Sequence, residues 1–243
     1  LYLECPTGGL SDVPDLAELS ALARARGITT ALDNSWATPY FLRPLDFGID
    51  LVVHSATKFI NGHNDVIAGA VVASSDIVKA AKHVIASFGS VISPFDAWLV
   101  LRGIKTMNLR VMKQSANALQ VATALARHPK VEKVFYPGLP DSPYHALATR
   151  LLHGGYGAML SFYIPDNREQ VNRFMQSLQV IKFVTTLGGV RTTLSHPATT
   201  SHAELEPSLK KEMGIHNGLI RLSVGIEDAA DLVDDLYSAL DAM

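Results

Sequence analysis

In the first 110 residues, short apolar runs alternate with amphipathic stretches. Residues 51–53 form a short continuous apolar run rich in β-branched side chains, which predicts a strand covered on both faces of a parallel sheet. Residues 28–32 predict another buried strand. Residues 68–73, AGAVVA, predict another buried strand. Leucines recur at helical spacing across residues 15–25 and predict a helix that covers the sheet. The pattern is that of an α/β protein.

The second half also alternates helix and strand. A long helical stretch begins at Ser93, because a Ser-Pro pair suits an N-cap and first helical turn. Gly103 is expected to mark a break between two helices, the second of which is amphipathic over residues 108–127. We place a domain boundary at the start of that second helix. Residues 1–108 then form part of a large sheet domain, and residues 109–243 form a smaller C-terminal α/β domain.

Composition gives no sign of nucleic-acid or membrane binding, which makes small-molecule chemistry the default expectation. The 243 residues are 48% hydrophobic and 18% charged, with a net charge of −2, which gives no electrostatic footprint for nucleic acid or an anionic membrane. No run is apolar and long enough to span a bilayer. Cys5 is the only cysteine and forms no intrachain disulfide, so we expect a reducing, cytoplasmic location.

Lys58 is the candidate catalytic group. It follows the apolar run at residues 51–53 and lies in a polar stretch that contains a glycine. Ser55 and Thr57 place hydroxyls close before it, where they could hold an anion beside an amine that forms imines. A pyridoxal phosphate site needs that combination. The tripeptide Ala56-Thr57-Lys58 alone favours a surface lysine in a strand-to-helix loop.

Asp33 is the second candidate. It follows the predicted strand at residues 28–32, and the carboxyl ends of neighbouring parallel strands face one crevice, so Asp33 and Lys58 could converge. A carboxylate at this place would keep a cofactor pyridine nitrogen protonated. The alternative is an ordinary helix N-cap.

No metal site is expected. His54, His63 and Asp65 lie within a dozen residues, but they lack the helical histidine spacing or the cysteine pair of a zinc site. The chain also lacks a G-x-G-x-x-G fingerprint, a P-loop and a nucleophile elbow.

Several ordered blocks resemble the Cys/Met-metabolism family of pyridoxal-phosphate enzymes, which contains the cystathionine lyases and synthases and methionine γ-lyase. Ordered blocks are a more specific signal than any single motif. The blocks are Glu4-Cys5-Pro6-Thr7, Asp33-Asn34-Ser35-Trp36, His54-Ser55-Ala56-Thr57-Lys58, Gly62-His63-Asn64-Asp65, Ser93-Pro94-Phe95-Asp96, Arg102-Gly103-Ile104-Lys105-Thr106, Leu187-Gly188-Gly189, Ser195-His196-Pro197-Ala198 and Ile220-Arg221-Leu222-Ser223-Val224-Gly225.

The resemblance implies a fold-type-I pyridoxal-phosphate enzyme with Lys58 as the catalytic lysine. It places Asp33, Ser55 and Thr57 against the cofactor and assigns Arg221 to the substrate carboxylate; from the residues alone, a salt bridge to Glu227 or Asp228 is the alternative. Thr186 replaces the family's usual serine. Arg191 stands where γ-lyases often carry glutamate, so the reversed charge should change which distal substrate group is accepted.

The expected activity is β- or γ-elimination on a sulfur-containing amino acid, of the cystathionine γ-lyase or methionine γ-lyase type. The alternatives are replacement by a cystathionine γ-synthase or O-acyl-homoserine sulfhydrylase, a cystathionine β-lyase, and a non-catalytic binding module. The resemblance implies a homo-oligomer, a dimer of dimers. It also implies that a preceding segment, with the phosphate-binding glycine turn and a stacking tyrosine, belongs to the same polypeptide.

Overall fold

Two β-sheets carry the fold in the computed structural model, which describes residues 1–243. The strands of the first sheet are β1 (Tyr2–Glu4), β2 (Ala31–Asp33), β3 (Leu51–Ser55) and β4 (Gly69–Ala73). The strands of the second are β5 (Lys133–Phe135), β6 (Met159–Tyr163), β7 (Lys182–Phe183), β8 (Thr193–Ser195) and β9 (Leu219–Ser223). The strand orders are β1-β2-β3-β4 and β5-β6-β9-β8-β7.

The first sheet brings three strand ends to one edge. β1, β2 and β3 are parallel, and their register places Glu4 beside Asp33 and Asp33 beside Val53. β4 runs antiparallel to β3. Because parallel strands end on the same side, the residues that follow β1, β2 and β3 surround one crevice, as the sequence predicted.

Nine α-helices accompany the sheets, and two short 3₁₀ turns occupy Pro44–Phe47 and Pro197–Thr199. The helices are α1 (Leu16–Ala25), α2 (Thr38–Phe41), α3 (Ser75–Phe88), α4 (Pro94–Ile104), α5 (Met107–Leu125), α6 (His145–Leu151), α7 (Arg168–Ser177), α8 (Pro207–Glu212) and α9 (Ala229–Asp241). None is long and apolar enough to cross a membrane. The predicted cap of α4 is confirmed, since the Ser93 hydroxyl accepts the Asp96 amide at 3.0 Å.

Each sheet has its own apolar core, and α5 contributes to both. The amino-terminal end of α5 buries Met107 and Val111 against the first sheet. Its carboxyl-terminal part buries Val121 and Leu125 against the second. The proposed domain boundary between residues 108 and 109 stays a prediction.

Two strand predictions need correction. β2 begins at Ala31 and not at residue 28, because Ile28 is 44% exposed in the turn after α1. β4 is not buried, since Val71 and Val72 are 42% and 46% exposed. The physical reason is that β4 is an edge strand and the neighbouring helix α3 buries none of its residues.

Gly103 lies inside α4, and the break between the helices falls two residues later, at Lys105 and Thr106. The glycine has a packing reason. A Cβ atom at this position would lie 2.5 Å from the Asn61 carbonyl oxygen, so only glycine lets α4 approach the loop that follows Lys58.

Candidate active site at the carboxyl edge of the first sheet

Lys58 lies in a tight turn directly after β3. Its amide donates to the Ser55 carbonyl oxygen at 3.0 Å, and its own carbonyl accepts the Gly62 amide at 2.7 Å. The side chain is half-buried. Burial and the positive charge of Arg221 together lower the pKa of the Lys58 amine. The structure therefore brings Lys58 and Arg221 into one electrostatic environment and makes the amine easier to deprotonate.

The Lys58 turn packs against a glycine from the second half of the chain. Gly188 has a φ angle of +80°, and a Cβ there would lie 2.7 Å from the Phe59 nitrogen and 2.9 Å from the Lys58 carbonyl carbon. The Gly188 amide also donates to the Ser223 hydroxyl at 2.8 Å. This close approach joins the two sheets at the candidate site.

Asp33 ends β2 on the crevice edge. Its Oδ1 atom accepts the Ser35 amide at 2.9 Å, which leaves Oδ2 for a ligand. The N-cap alternative is wrong, because the next helix, α2, begins at Thr38 and has Ala37 as its cap. The negative charge of Asp33 contributes to raising the pKa of Glu4, although burial is the largest cause.

Ser55 and Thr57 differ in what their hydroxyls do. The Ser55 amide donates to the Ser35 hydroxyl at 2.6 Å, but the Ser55 hydroxyl itself makes no hydrogen bond to the protein. The Thr57 hydroxyl donates to the Ala68 carbonyl at 3.2 Å and accepts the Ala68 amide at 2.9 Å. Ser55 is thus free to bind an anion, whereas Thr57 also ties the loop to the start of β4.

Arg221 is a buried cation on β9, where it is 9% exposed. Its Nε atom donates to the Ser195 hydroxyl at 3.1 Å, and one terminal nitrogen donates to the Gly8 carbonyl at 3.2 Å. The guanidinium carbon lies 5.9 Å from the centre of the Trp36 ring. Burial lowers the pKa of Arg221, and the charge of Glu4 partly offsets this.

The predicted salt-bridge alternative for Arg221 is absent. The Glu227 carboxylate accepts the amide and hydroxyl of Thr192, and Asp228 caps α9 by accepting the Ala230 amide at 2.8 Å. No carboxylate forms a salt bridge with Arg221. Arg221 is therefore a buried cation with no carboxylate in direct contact, although the charge of Glu4 acts on it.

Thr186 and Arg191 lie together, but in a separate groove. This groove has a volume of about 390 Å³, and Asn64 and Glu227 also line it. Arg191 is exposed and forms no salt bridge. Asn64 in turn packs against Gly189, so the groove adjoins the glycine segment that contacts the Lys58 turn.

Sequence reasoning missed three site residues. The motif that contains Glu4 did not show that this residue ends β1 in register with Asp33. Trp36 lies in the same motif as Asp33, and its ring faces Arg221. Arg110 was not considered, although its guanidinium donates to the carbonyl oxygens of Phe59 and Ile60 directly after Lys58. Arg110, Gln114 and Asn117 share one face of α5, but their spacing alone does not show which loops they bind.

The donor set suits pyridoxal phosphate. A half-buried amine of lowered pKa, a carboxylate with one oxygen unbonded and an unbonded hydroxyl lie near an unpaired arginine. These groups match an aldehyde, a pyridine nitrogen, a phosphate and a substrate carboxylate respectively. No three histidine, cysteine, aspartate or glutamate side chains converge to hold a metal ion.

Comparisons with known proteins agree with this chemistry. The sequence model of the family described as Cys/Met metabolism PLP-dependent enzyme matches residues 1–241. A cystathionine γ-lyase of Dictyostelium discoideum is 40% identical over 242 residues, which are 99% of this chain and 62% of the relative. An O-succinylhomoserine sulfhydrylase of Pseudomonas aeruginosa is 39% identical and covers 100% of this chain and 60% of its own length.

The fold matches equally well. The crystal structure of cystathionine γ-synthase from Xanthomonas oryzae pv. oryzae, in complex with aminoacrylate and cysteine, superposes with a TM-score of 0.96 at 40% identity, over 99% of this chain and 62% of that one. The predicted α/β fold of type I is therefore confirmed. The chain spans about three-fifths of the length of the relatives that it matches. With the family's sequence pattern over nearly its whole length and the family's fold, this chain belongs to the Cys/Met-metabolism family of pyridoxal-phosphate-dependent enzymes.

Proposed function

We propose that this chain carries the chemical centre of a carbon-sulfur lyase that performs β- or γ-elimination on a sulfur-containing amino acid. Lys58 is the catalytic residue in this proposal. Asp33, Ser55 and Thr57 hold the cofactor, and Arg221 binds the substrate carboxylate. Thr186 and Arg191 lie where the distal part of the substrate is recognised.

The observation that carries the proposal is the state of Arg221. It is nearly buried, it has no carboxylate partner, and its charge reaches the Lys58 amine. A protein that used Arg221 only for structure would be expected to pair it with an anion, because an unpaired buried charge is unfavourable. A substrate carboxylate provides the missing partner next to the proton-transfer group.

Each side chain of the site has its own role in the proposed reaction. Arg221 fixes the substrate carboxylate and thereby orients the bonds at the α-carbon. Lys58 would hold the cofactor through its amine, and the same amine, when neutral, would remove a proton from the substrate and return it. Its lowered pKa favours the neutral form that a base requires. The Asp33 carboxylate would accept a hydrogen bond from the protonated pyridine nitrogen and so keep it protonated, and the bound cofactor would supply electron withdrawal from the α-carbon.

Replacement chemistry is the second candidate, because a sulfhydrylase and a γ-synthase resemble the chain as closely as the lyases do. A substrate panel separates the two. Elimination releases ammonia and a keto acid from cystathionine, cysteine or methionine, whereas replacement consumes an activated homoserine ester and a thiol. We expect the holoenzyme of the complete polypeptide to release ammonia; product formed only with added thiol would favour replacement.

We also propose a cytoplasmic homo-oligomer, a dimer of dimers. The buried free thiol of Cys5 is compatible with a reducing compartment. Helices α3 and α4 expose a run of apolar side chains, including Phe88 at 82% and Phe95 at 65%, of the kind that subunit contacts cover. Analytical ultracentrifugation tests the oligomer, and a monomer at micromolar concentration would contradict it.

Replacing Arg221 by Ala should weaken substrate use without releasing the cofactor. We expect kcat/KM to fall, because the substrate carboxylate loses its partner. The corresponding loss of transition-state binding free energy should be about 2 to 5 kcal/mol. The pKa of Lys58 should rise, because a nearby positive charge is removed. Steady-state kinetics and the pH dependence of Lys58 acetylation in the cofactor-free protein measure the two effects. Arg173→Ala, at an exposed arginine paired with Glu169, is the control; equal kinetics in both variants would remove Arg221 from the site.

Replacing Asp33 by Asn should leave the cofactor bound but slow the chemistry. The amide cannot hold the pyridine nitrogen protonated, so we expect kcat to fall by roughly 10²-fold or more. Cofactor content by absorbance and kcat by ammonia release give the two readings. Asp50→Asn is the matched control, since Asp50 binds Thr30 at the opposite end of the strands. A proportional loss of cofactor and activity would show that Asp33 only shapes the turn.

Replacing Arg191 by Glu should change substrate preference. Reversing the charge in the groove shared with Thr186 should favour substrates with a positively charged distal group and disfavour those with a negative one. The measurement is the ratio of kcat/KM among cysteine, cystathionine and methionine. Arg191→Gln serves as the neutral comparison, and ratios that stay the same in both variants would make the position structural.

A further inference from the structure

We propose that Arg110 is a positioning residue that fixes the turn carrying Lys58, an inference that rests on the proposed role of Lys58. Arg110 lies on α5, which follows β3 after β4, α3 and α4, and is 5% exposed. It contacts neither the Lys58 side chain nor the substrate groups. Its effect would be transmitted through the backbone of residues 59–62.

The guanidinium of Arg110 binds the turn at successive carbonyls. One terminal nitrogen donates to the Phe59 oxygen at 2.8 Å, and the other donates to the Ile60 oxygen at 3.0 Å and the Gly103 oxygen at 2.9 Å. Its Nε atom donates to the Thr106 hydroxyl at 3.1 Å. All three guanidinium nitrogens are therefore occupied, and three of the four acceptors are backbone carbonyls. The planar fork of arginine can make this set of contacts, and a single ammonium cannot.

Arg110 is a buried cation with no carboxylate in contact. Burial lowers the pKa of Arg110, but the group stays charged because its normal pKa is far above neutrality. The carbonyl dipoles of the turn replace an anion. A structural ion pair would have needed only one carboxylate, whereas this arrangement fixes the direction of three separate peptide units.

Gly62 leaves room in the turn for the Arg110 side chain. Gly62 has a φ angle of +74°, and a Cβ atom there would lie 1.8 Å from a terminal nitrogen of Arg110. The Gly62 amide donates to the Lys58 carbonyl at 2.7 Å, and the Gly62 carbonyl accepts the Val190 amide at 3.1 Å. The peptide units that Arg110 holds are thus linked on one side to Lys58 and on the other to the glycine segment around Gly188.

The test is Arg110→Gln and Arg110→Lys in the holoenzyme of the complete polypeptide. We expect Arg110→Gln to lower kcat by about 10²-fold, because a small misplacement of a catalytic group has effects of that size. KM should stay near the wild-type value, since Arg221 is untouched. Arg110→Lys should recover part of kcat. Amide hydrogen exchange at Gly62 should become faster in Arg110→Gln, which is a reading independent of activity.

Lys130→Gln is the matched control. Its ammonium also donates to two backbone carbonyls, those of Leu240 and Asp241, but far from the Lys58 turn. Each of three results would overturn the assignment: wild-type kcat in Arg110→Gln, a rise in KM with kcat unchanged, or an equal loss of kcat in Lys130→Gln. If Arg110→Gln does not fold, the kcat and exchange of Arg110→Lys decide.

Lys58→Ala separates this inference from the proposed function. Full activity in Lys58→Ala would refute the proposed function itself. Loss of activity in Lys58→Ala, together with unchanged kcat in both Arg110 variants, would refute only the positioning role.

Discussion

A row of buried polar side chains on α5 is the interaction on which the site depends. Arg110, Gln114 and Asn117 follow each other at helical spacing on one face and are 5%, 0% and 0% exposed. Each donates to backbone carbonyl oxygens in loops, not to other side chains of the sheets. The loop acceptors are Phe59 and Ile60 for Arg110, Gly189 and Val224 for Gln114, and Gly225 and Glu227 for Asn117. Arg110 also donates to the Gly103 carbonyl and the Thr106 hydroxyl.

This arrangement supplies hydrogen-bond donors to the buried loop carbonyls of the site. The Lys58 turn, the Gly188–Gly189 segment and the end of β9 must approach one another closely, yet their carbonyls cannot all join a sheet ladder. A buried carbonyl left without a donor costs about 1 to 3 kcal/mol. Side chains on one helix supply those donors, so the same contacts that satisfy the loops also tie the Lys58 turn and the end of β9 to α5. Since α5 packs into both apolar cores, each half of the chain is held against the same support.

The features that could be predicted from the sequence are those set by local pattern. The apolar run before Lys58 marked β3 because β-branched runs favour strands, and the Ser93 cap followed from its hydroxyl next to proline. The position of Asp33 and Lys58 at one edge followed from the general geometry of neighbouring parallel strands. The α5 face could not be assigned in this way. Apolar Leu109 is 73% exposed, whereas the charged Arg110 is buried. No local pattern predicts this reversal, because the carbonyls that Arg110 binds lie in loops distant in sequence. Exposure of β4 was missed for a similar reason, since an apolar run does not show what packs on it.

The account rests on Lys58 as the residue that holds the cofactor, and one measurement addresses it directly. The complete polypeptide is loaded with pyridoxal phosphate, reduced with borohydride and digested, and the modified lysine is located by peptide mass mapping. The account predicts that the reduced cofactor is attached to Lys58. Attachment to Lys79, Lys82 or Lys105 with Lys58 unmodified would contradict it.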